Sequence, residues 1–134
     1  MTERNLVSQF RQTESSASVK WLGADDDDVR YAMRVNFATS PTNTKSSHTL
    51  LLKTTVAFIR YSSVDELDKQ SDSAIDAESV FFVEATTAEA NAYELVAELW
   101  PVIRWAVLTQ VNLLGKDMSR WLPVRISATD IVAD

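Results

Sequence analysis

With 134 residues, 46% of them apolar and 24% charged, the chain has the length of one domain, spanning 1–134, and enough apolar side chains to build a core, so global disorder is excluded. Its 19 acidic and 13 basic side chains leave a net charge of -6, which argues against nucleic acid or an anionic membrane as the main partner, because both reward clustered Lys and Arg. The absence of cysteine removes disulfides, thiol catalysis and thiolate metal sites.

Met1-Thr2-Glu3-Arg4-Asn5 lacks the charged-then-apolar run of a signal peptide, and no apolar stretch reaches the ~18–20 residues that span a bilayer, so a cytoplasmic protein is expected. Leu6, Ser8 and Phe10, then Val19 and Trp21, read as an extended, bent or interrupted strand of moderate polarity. Asp25-Asp26-Asp27-Asp28 follow Gly23, and adjacent like charges place that turn in solvent. Over residues 29–37, Val29, Tyr31, Met33, Val35 and Phe37 alternate with Arg30, Ala32, Arg34 and Asn36, the period-two signature of a strand with one buried face. A turn rich in Ser and Thr over residues 40–47 leads into a second such strand. There Leu50, Leu52, Thr54, Val56 and Phe58 share one face, while Leu51, Ala57, Ile59 and Tyr61 make the other apolar enough for a central, two-sided strand.

Residues 62–78, rich in Ser, Asp, Glu and Lys, read as a long exposed connection, and residues 79–87 as a further strand, Val80-Phe81-Phe82-Val83-Glu84-Ala85. Residues 88–98 favour helix by propensity. Leu99-Trp100-Pro101-Val102-Ile103-Arg104 then opens an almost wholly apolar helix, with Pro101 in its first turn, where no N–H is needed, and Gly115 at its end. Val102, Ile103, Ala106, Val107, Leu108, Val111, Leu113 and Leu114 cover most of its circumference. A sheet covers one side of such a helix, so a second surface is expected, from another subunit or a bound apolar ligand. The order of elements gives an α+β fold, a four-stranded antiparallel sheet with a long C-terminal helix on one face.

That order and two segments near its end resemble the bacterial SecB export chaperone family. Leu99-Trp100-Pro101-Val102-Ile103-Arg104 is similar to the family's aromatic-Pro-x-x-Arg helix start, and Leu122-Pro123-Val124-Arg125-Ile126 to its Pro-Val segment after the helix. Met33-Arg34-Val35-Asn36-Phe37-Ala38-Thr39 and Phe81-Phe82-Val83-Glu84 look like its second and fourth strands. The resemblance implies a homotetramer, a dimer of dimers joined through the helices, acting as an ATP-independent holdase that wraps unfolded client polypeptides in apolar grooves and passes them to the SecA motor. It implies a client groove lined by Met33, Val35, Phe37 and Ile126, to which Trp21 and Trp121 are added as candidates, and a motor-facing site at Phe82 and Glu84. Trp100, Ile103, Val107, Val111 and Leu114 are expected at the subunit interface. Thr86-Thr87-Ala88-Glu89 stands where the family continues its fourth strand with Gly, the first strand reads Ala17-Ser18-Val19-Lys20-Trp21 without acidic residues, and no zinc-binding tail is expected. These departures favour a divergent member, associated with a toxin–antitoxin system or phage-borne. The alternative is an interaction module of the same fold that recognises one protein partner, such as an antitoxin or a phage or host protein.

Little else in the chain carries chemistry. His48, the lone histidine, has no catalytic partners at a telling spacing and reads as a surface residue. The Asp25 to Asp28 run lacks the ligand spacing and central Gly of a calcium loop. With only Gly23 and Gly115, no Gly-rich phosphate loop can form, and the chain is expected to be no enzyme, with no metal and no cofactor.

Overall fold

The computed structural model describes residues 6–20, 29–42, 48–61, 73–87 and 91–133. Trp21, the Asp25 to Asp28 run and residues 62–72 of the expected connection lie outside the described residues. The elements are β1 (Val7–Val19), β2 (Arg30–Pro41), β3 (Thr49–Tyr61), β4 (Ile75–Ala85), α1 (Ala92–Leu113), single 3-10 turns at Ser119–Trp121 and Ala128–Asp130, and β5 (Ile131–Ala133). They form an α+β fold, as the element order predicts, but the sheet has five strands rather than four, ordered β1-β4-β3-β2-β5. The meander β2, β3, β4 with β1 laid beside β4 is a Greek-key order. The additional strand, β5, pairs parallel with β2, whereas all other pairs are antiparallel.

Alternation builds the strands. In β2, Tyr31, Val35 and Phe37 are buried and Met33 is half-buried, while Arg30 and Arg34 point to solvent. In β3, Leu52, Thr54, Val56 and Phe58 are buried on the inner face, and Ala57 is buried on the other, in keeping with a central strand. β4 starts at Ile75, ahead of the expected Ser79, because Ile75 and Ala77 extend the buried row of Ser79, Phe81, Val83 and Ala85. Asp76 and Glu78, which suggested an exposed connection, are the outward members of the same alternation.

The helix begins earlier than its proline signals. The Asn91 side chain caps it, accepting from the amides of Tyr93 at 2.8 Å and Glu94 at 3.3 Å. Pro101 therefore lies inside the helix and not in its first turn, and leaves the carbonyl of Ala97 without its intrahelical donor. An interior proline disfavours a helix by about 3 kcal/mol. Here that is offset by the buried stripe Leu95, Val96, Leu99, Trp100, Ile103, Ala106, Val107 and Val111, spaced along one face. The end is a Schellman motif at Gly115, whose φ is +86°: its amide donates to Asn112 O at 3.0 Å, and that of Lys116 to Val111 O at 3.2 Å.

α1 lies over β1 and β4 and reaches β3 less. The rest of the inner sheet face is closed by the segment after Gly115, which contributes buried Met118 and Leu122. The Trp100 Nε1 donates to the carbonyl of Pro123 at 2.8 Å, and the Arg104 Nε to that of Leu122 at 3.3 Å, fastening the segment to the helix. Asp117 starts its first turn by accepting from the Ser119 amide at 3.0 Å, which holds its carboxyl below the usual carboxylate range.

Candidate functional site: an apolar groove beside an edge strand

The residues expected to line a client groove on β2 are brought together, but their groove is filled by the chain itself. Val35 and Phe37 belong to the core, with the Phe37 ring edge-on to Tyr93 of α1 at 4.9 Å. Trp121, half-buried, packs edge-on against Tyr31 at 5.6 Å and carries Arg120 over its own ring. Met33 and Ile126 are half-buried against the same core.

The helix residues expected at a subunit interface are placed differently. Trp100, Ile103, Val107 and Val111 are buried against the chain's own sheet, so the face open to another molecule is the opposite one; Leu114 alone of the set is exposed. That outward face carries Pro101 and Trp105, the latter at 65% exposure, with Leu108 half-buried beside them; half-buried Val102 and Leu113, 75% exposed at the helix end, lie about a third of a turn away. The apolar excess of the helix is thus real, and it is Trp105, not Trp100, that remains uncovered.

A groove opens where this face meets β1. Among the described residues β1 has a neighbour on one side only, and its register against β4 slips between Val7 and Gln9. The slip is a bulge at Ser8, whose Oγ donates to the Glu84 carbonyl at 3.0 Å. In a regular strand Val7 and Phe10 would face opposite ways. The extra residue puts both on the helix side, opposite Ala85 and Val83. Phe10 stays 45% exposed and sits edge-on to buried Phe81 at 6.5 Å between centroids. From the helix, Leu99, Pro101 and Val102 face them across a groove of about 480 Å³.

Glu98 fixes the width of that groove. Its carboxylate accepts from the amides of Leu6 at 2.8 Å and Val7 at 2.6 Å, one oxygen to each, tying the start of β1 to α1. Val7, Phe10 and Glu98 are not singled out as site residues by the sequence, whereas Trp105, one of its four tryptophans, is expected with Trp100 in the core or at a subunit interface and is 65% exposed. A lone aromatic in a polar strand and an outward Trp at helical spacing from Pro101 are the signals that mark them.

Phe82 and Glu84 share the outer face of the sheet, as alternation requires, and both are half-buried. Phe82 lies between Arg11 of β1 and Leu51 of β3, so it belongs to a small apolar spot and is not isolated. Gln9 Nε2 donates to the Glu84 carboxylate. Lys53 pairs with Glu78 at 2.8 Å and Lys20 with Asp76 at 3.8 Å on the same face. His48 is half-buried where β3 begins, and its carbonyl accepts from the Ala85 amide at 2.9 Å. Among the described residues no group of three or more His, Cys, Asp or Glu is placed to hold a metal ion, and no helix is long and apolar enough to cross a membrane.

Neither a protein-family model nor a curated protein matches the sequence. Among solved structures, the chain is similar to a SecB-like chaperone of Mycobacterium tuberculosis in complex with a peptide from an antitoxin, at 13% identity over 82% of this chain and 83% of that one, with a TM-score of 0.49.

Proposed function

We propose that the protein is an ATP-independent holdase of SecB type, which keeps short extended segments of unfolded polypeptide at the β1 edge. The observation that carries this reading is the groove itself: apolar side chains from a helix and an edge strand converge on open space beside a strand able to pair further. An incoming segment would place apolar side chains against Phe10, Pro101 and Val102 and hydrogen-bond its main chain to β1, the strand-addition mode of peptide recognition. Nothing in that mode needs ATP or a metal. The resemblance of the Leu99 to Arg104 segment to the family's helix start supports the same reading.

Magnitudes bear on how such a site works. Burying one Leu or Phe side chain is worth about 1.5–3 kcal/mol. Lost translational and rotational freedom costs about 4–15 kcal/mol on association. One groove holds a segment weakly, and several grooves in one assembly hold a long chain by avidity. In this reading the uncovered Pro101, Trp105 and Leu113 seat a second copy and supply that assembly. Phe82 and Leu51, on the opposite sheet face, leave room for a motor or dedicated partner while a segment is held. The net charge of -6 favours neutral or basic segments.

Light scattering of chemically denatured citrate synthase diluted into buffer tests the reading. The wild-type protein is expected to suppress aggregation, and Phe10→Asp, at a position already 45% exposed, to lose at least tenfold in potency while keeping its melting transition. No suppression at any ratio, or full suppression by the Phe10 variant, overturns it. Affinity capture separates general from dedicated binding: a heterogeneous set of clients marks the holdase, one stoichiometric partner the dedicated module.

A further inference from the structure

Four arginines gather along the β2 side of a chain whose net charge is -6. Arg30 and Arg34 stand four apart in β2, so alternation puts both on the outer sheet face, and both are exposed. Arg120 and Arg125, also exposed, come from the segment after the helix, which runs beside the same strand: Trp121 packs against Tyr31 at 5.6 Å, and Ile131 pairs with Val35. Positive charge is concentrated here. The rest of the chain is correspondingly more acidic than its total.

Pairing sets these arginines apart from the lysines of the same sheet. Lys53 holds Glu78 at 2.8 Å and Lys20 holds Asp76 at 3.8 Å, whereas among the described residues Arg34, Arg120 and Arg125 make no ion pair. The carboxylates of the post-helix segment are committed elsewhere. Asp117 accepts from the Ser119 amide at 3.0 Å, and Asp130 from the Ser127 amide and hydroxyl, each at 3.0 Å. The Arg120 guanidinium lies over the Trp121 ring, 4.9 Å from its centroid, a contact that holds the charge in place without neutralising it. Apolar side chains stand between the charges: Val124 is 70% exposed and Trp121 half-buried.

We propose that this basic side of the sheet is a docking surface for an acidic polypeptide segment, one in which Asp or Glu side chains alternate with apolar ones. Guanidinium forks take carboxylates through two parallel hydrogen bonds, and a tryptophan among them is a favoured anchor for an apolar neighbour. Longer polyanions fit less well. A nucleic acid or an anionic bilayer extends past four arginines and meets the acidic remainder of the chain, whereas a short segment ends where the positive charge ends. The surface is the solvent-facing side of β2 and of the segment beside it, so docking needs no rearrangement of either. It does not rest on the holdase reading, and Phe10 of the β1 groove takes no part in it.

A fluorescein-labelled peptide, Asp-Val-Glu-Leu-Asp-Phe-Glu, titrated against the full chain and followed by anisotropy, is the probe. Wild type is expected to bind it, and to bind about fivefold more weakly at ~0.5 M salt than at ~0.05 M. Arg120→Glu and Arg125→Glu are each expected to weaken binding about tenfold, Arg34→Glu about threefold and Val124→Ser about twofold. Arg11→Glu, at the far edge, changes the net charge by the same amount and is expected to leave the affinity unchanged. Equal losses at Arg11 and Arg125 overturn the proposal, because they show bulk attraction and not a site. No binding by the folded wild type also overturns it, as does tighter binding of a single-stranded oligonucleotide of matched charge, or of vesicles of phosphatidylserine and phosphatidylcholine in about equal parts. Should Arg120→Glu fail to melt cooperatively, Arg125→Glu and Arg34→Glu decide alone: wild-type affinity in both sinks it. Phe10→Asp is expected to bind the peptide as wild type does, so failure of the β1 groove and failure of this surface are read separately.

Discussion

At one edge of the sheet β1 runs 13 residues with no strand beyond it among the described residues, whereas at the other β2 is shielded over three residues by the chain's own β5. Exposed edges template aggregation, and proteins blunt them with bulges, charges or covers. β1 uses the first two: its register slips at Ser8 and again between Gln12 and Glu14, and Arg11 and Glu14 stand exposed along it. β2, whose inner face holds Tyr31, Val35 and Phe37 in the core, uses the third. The contrast teaches that an edge can be left open where its strand is polar and kinked, but is roofed where the strand is regular and apolar.

Substitutions that act on one edge or both sharpen this picture. Trp100→Ala is expected to cost about 3–5 kcal/mol, because the side chain is 0% exposed and its indole also holds the Pro123 carbonyl. Both edges loosen together in that variant, and urea denaturation reads the loss. Gly115→Ala costs about 1–2 kcal/mol through its left-handed backbone alone, since an added Cβ meets nothing within 4 Å. Amide exchange is expected to quicken at the β2 edge more than along β1, since the segment that this glycine launches pairs with β2 through β5 and otherwise packs on α1. Equal quickening at both edges would break the contrast. Glu98→Ala has the smallest effect on overall stability, no more than about 1 kcal/mol for exposed hydrogen bonds to a carboxylate. Its mark is local: faster exchange of the Leu6 and Val7 amides and no change at β5.

The sheet was largely legible in the residues, because alternation in β2, β3 and the later part of β4 is dense in large apolar side chains. Where the apolar member of the alternation is small or widely spaced, as at Ala77 in β4, acidic neighbours hid it. β1 was legible only as a polar extended stretch, since two bulges break the period on which the reading depends. The helix was visible by its apolar density, but its start was misplaced by Pro101, because an Asn91 cap and a long buried stripe outweigh an interior proline. β5 left no signal: three residues cannot show a period, and their pairing is decided by the distant strand they meet. Of the helix residues expected to meet a partner, all but Leu114 are buried against the chain's own sheet, since hydrophobicity alone does not say which side of an all-apolar helix meets that sheet. The uncovered Trp105 shows that a surplus exists, and only packing could assign it.

The bulge at Ser8 carries a lesson for reading other chains. Two apolar residues that serve one pocket here stand three apart in the sequence, a spacing that alternation assigns to opposite sides. A relative that kept this pocket would be overlooked by any comparison of even-numbered intervals. Its trace is instead an aliphatic residue, a small hydroxyl, one free position and an aromatic, ahead of a hydrophilic stretch, with a glutamate on the helix to receive the first amides.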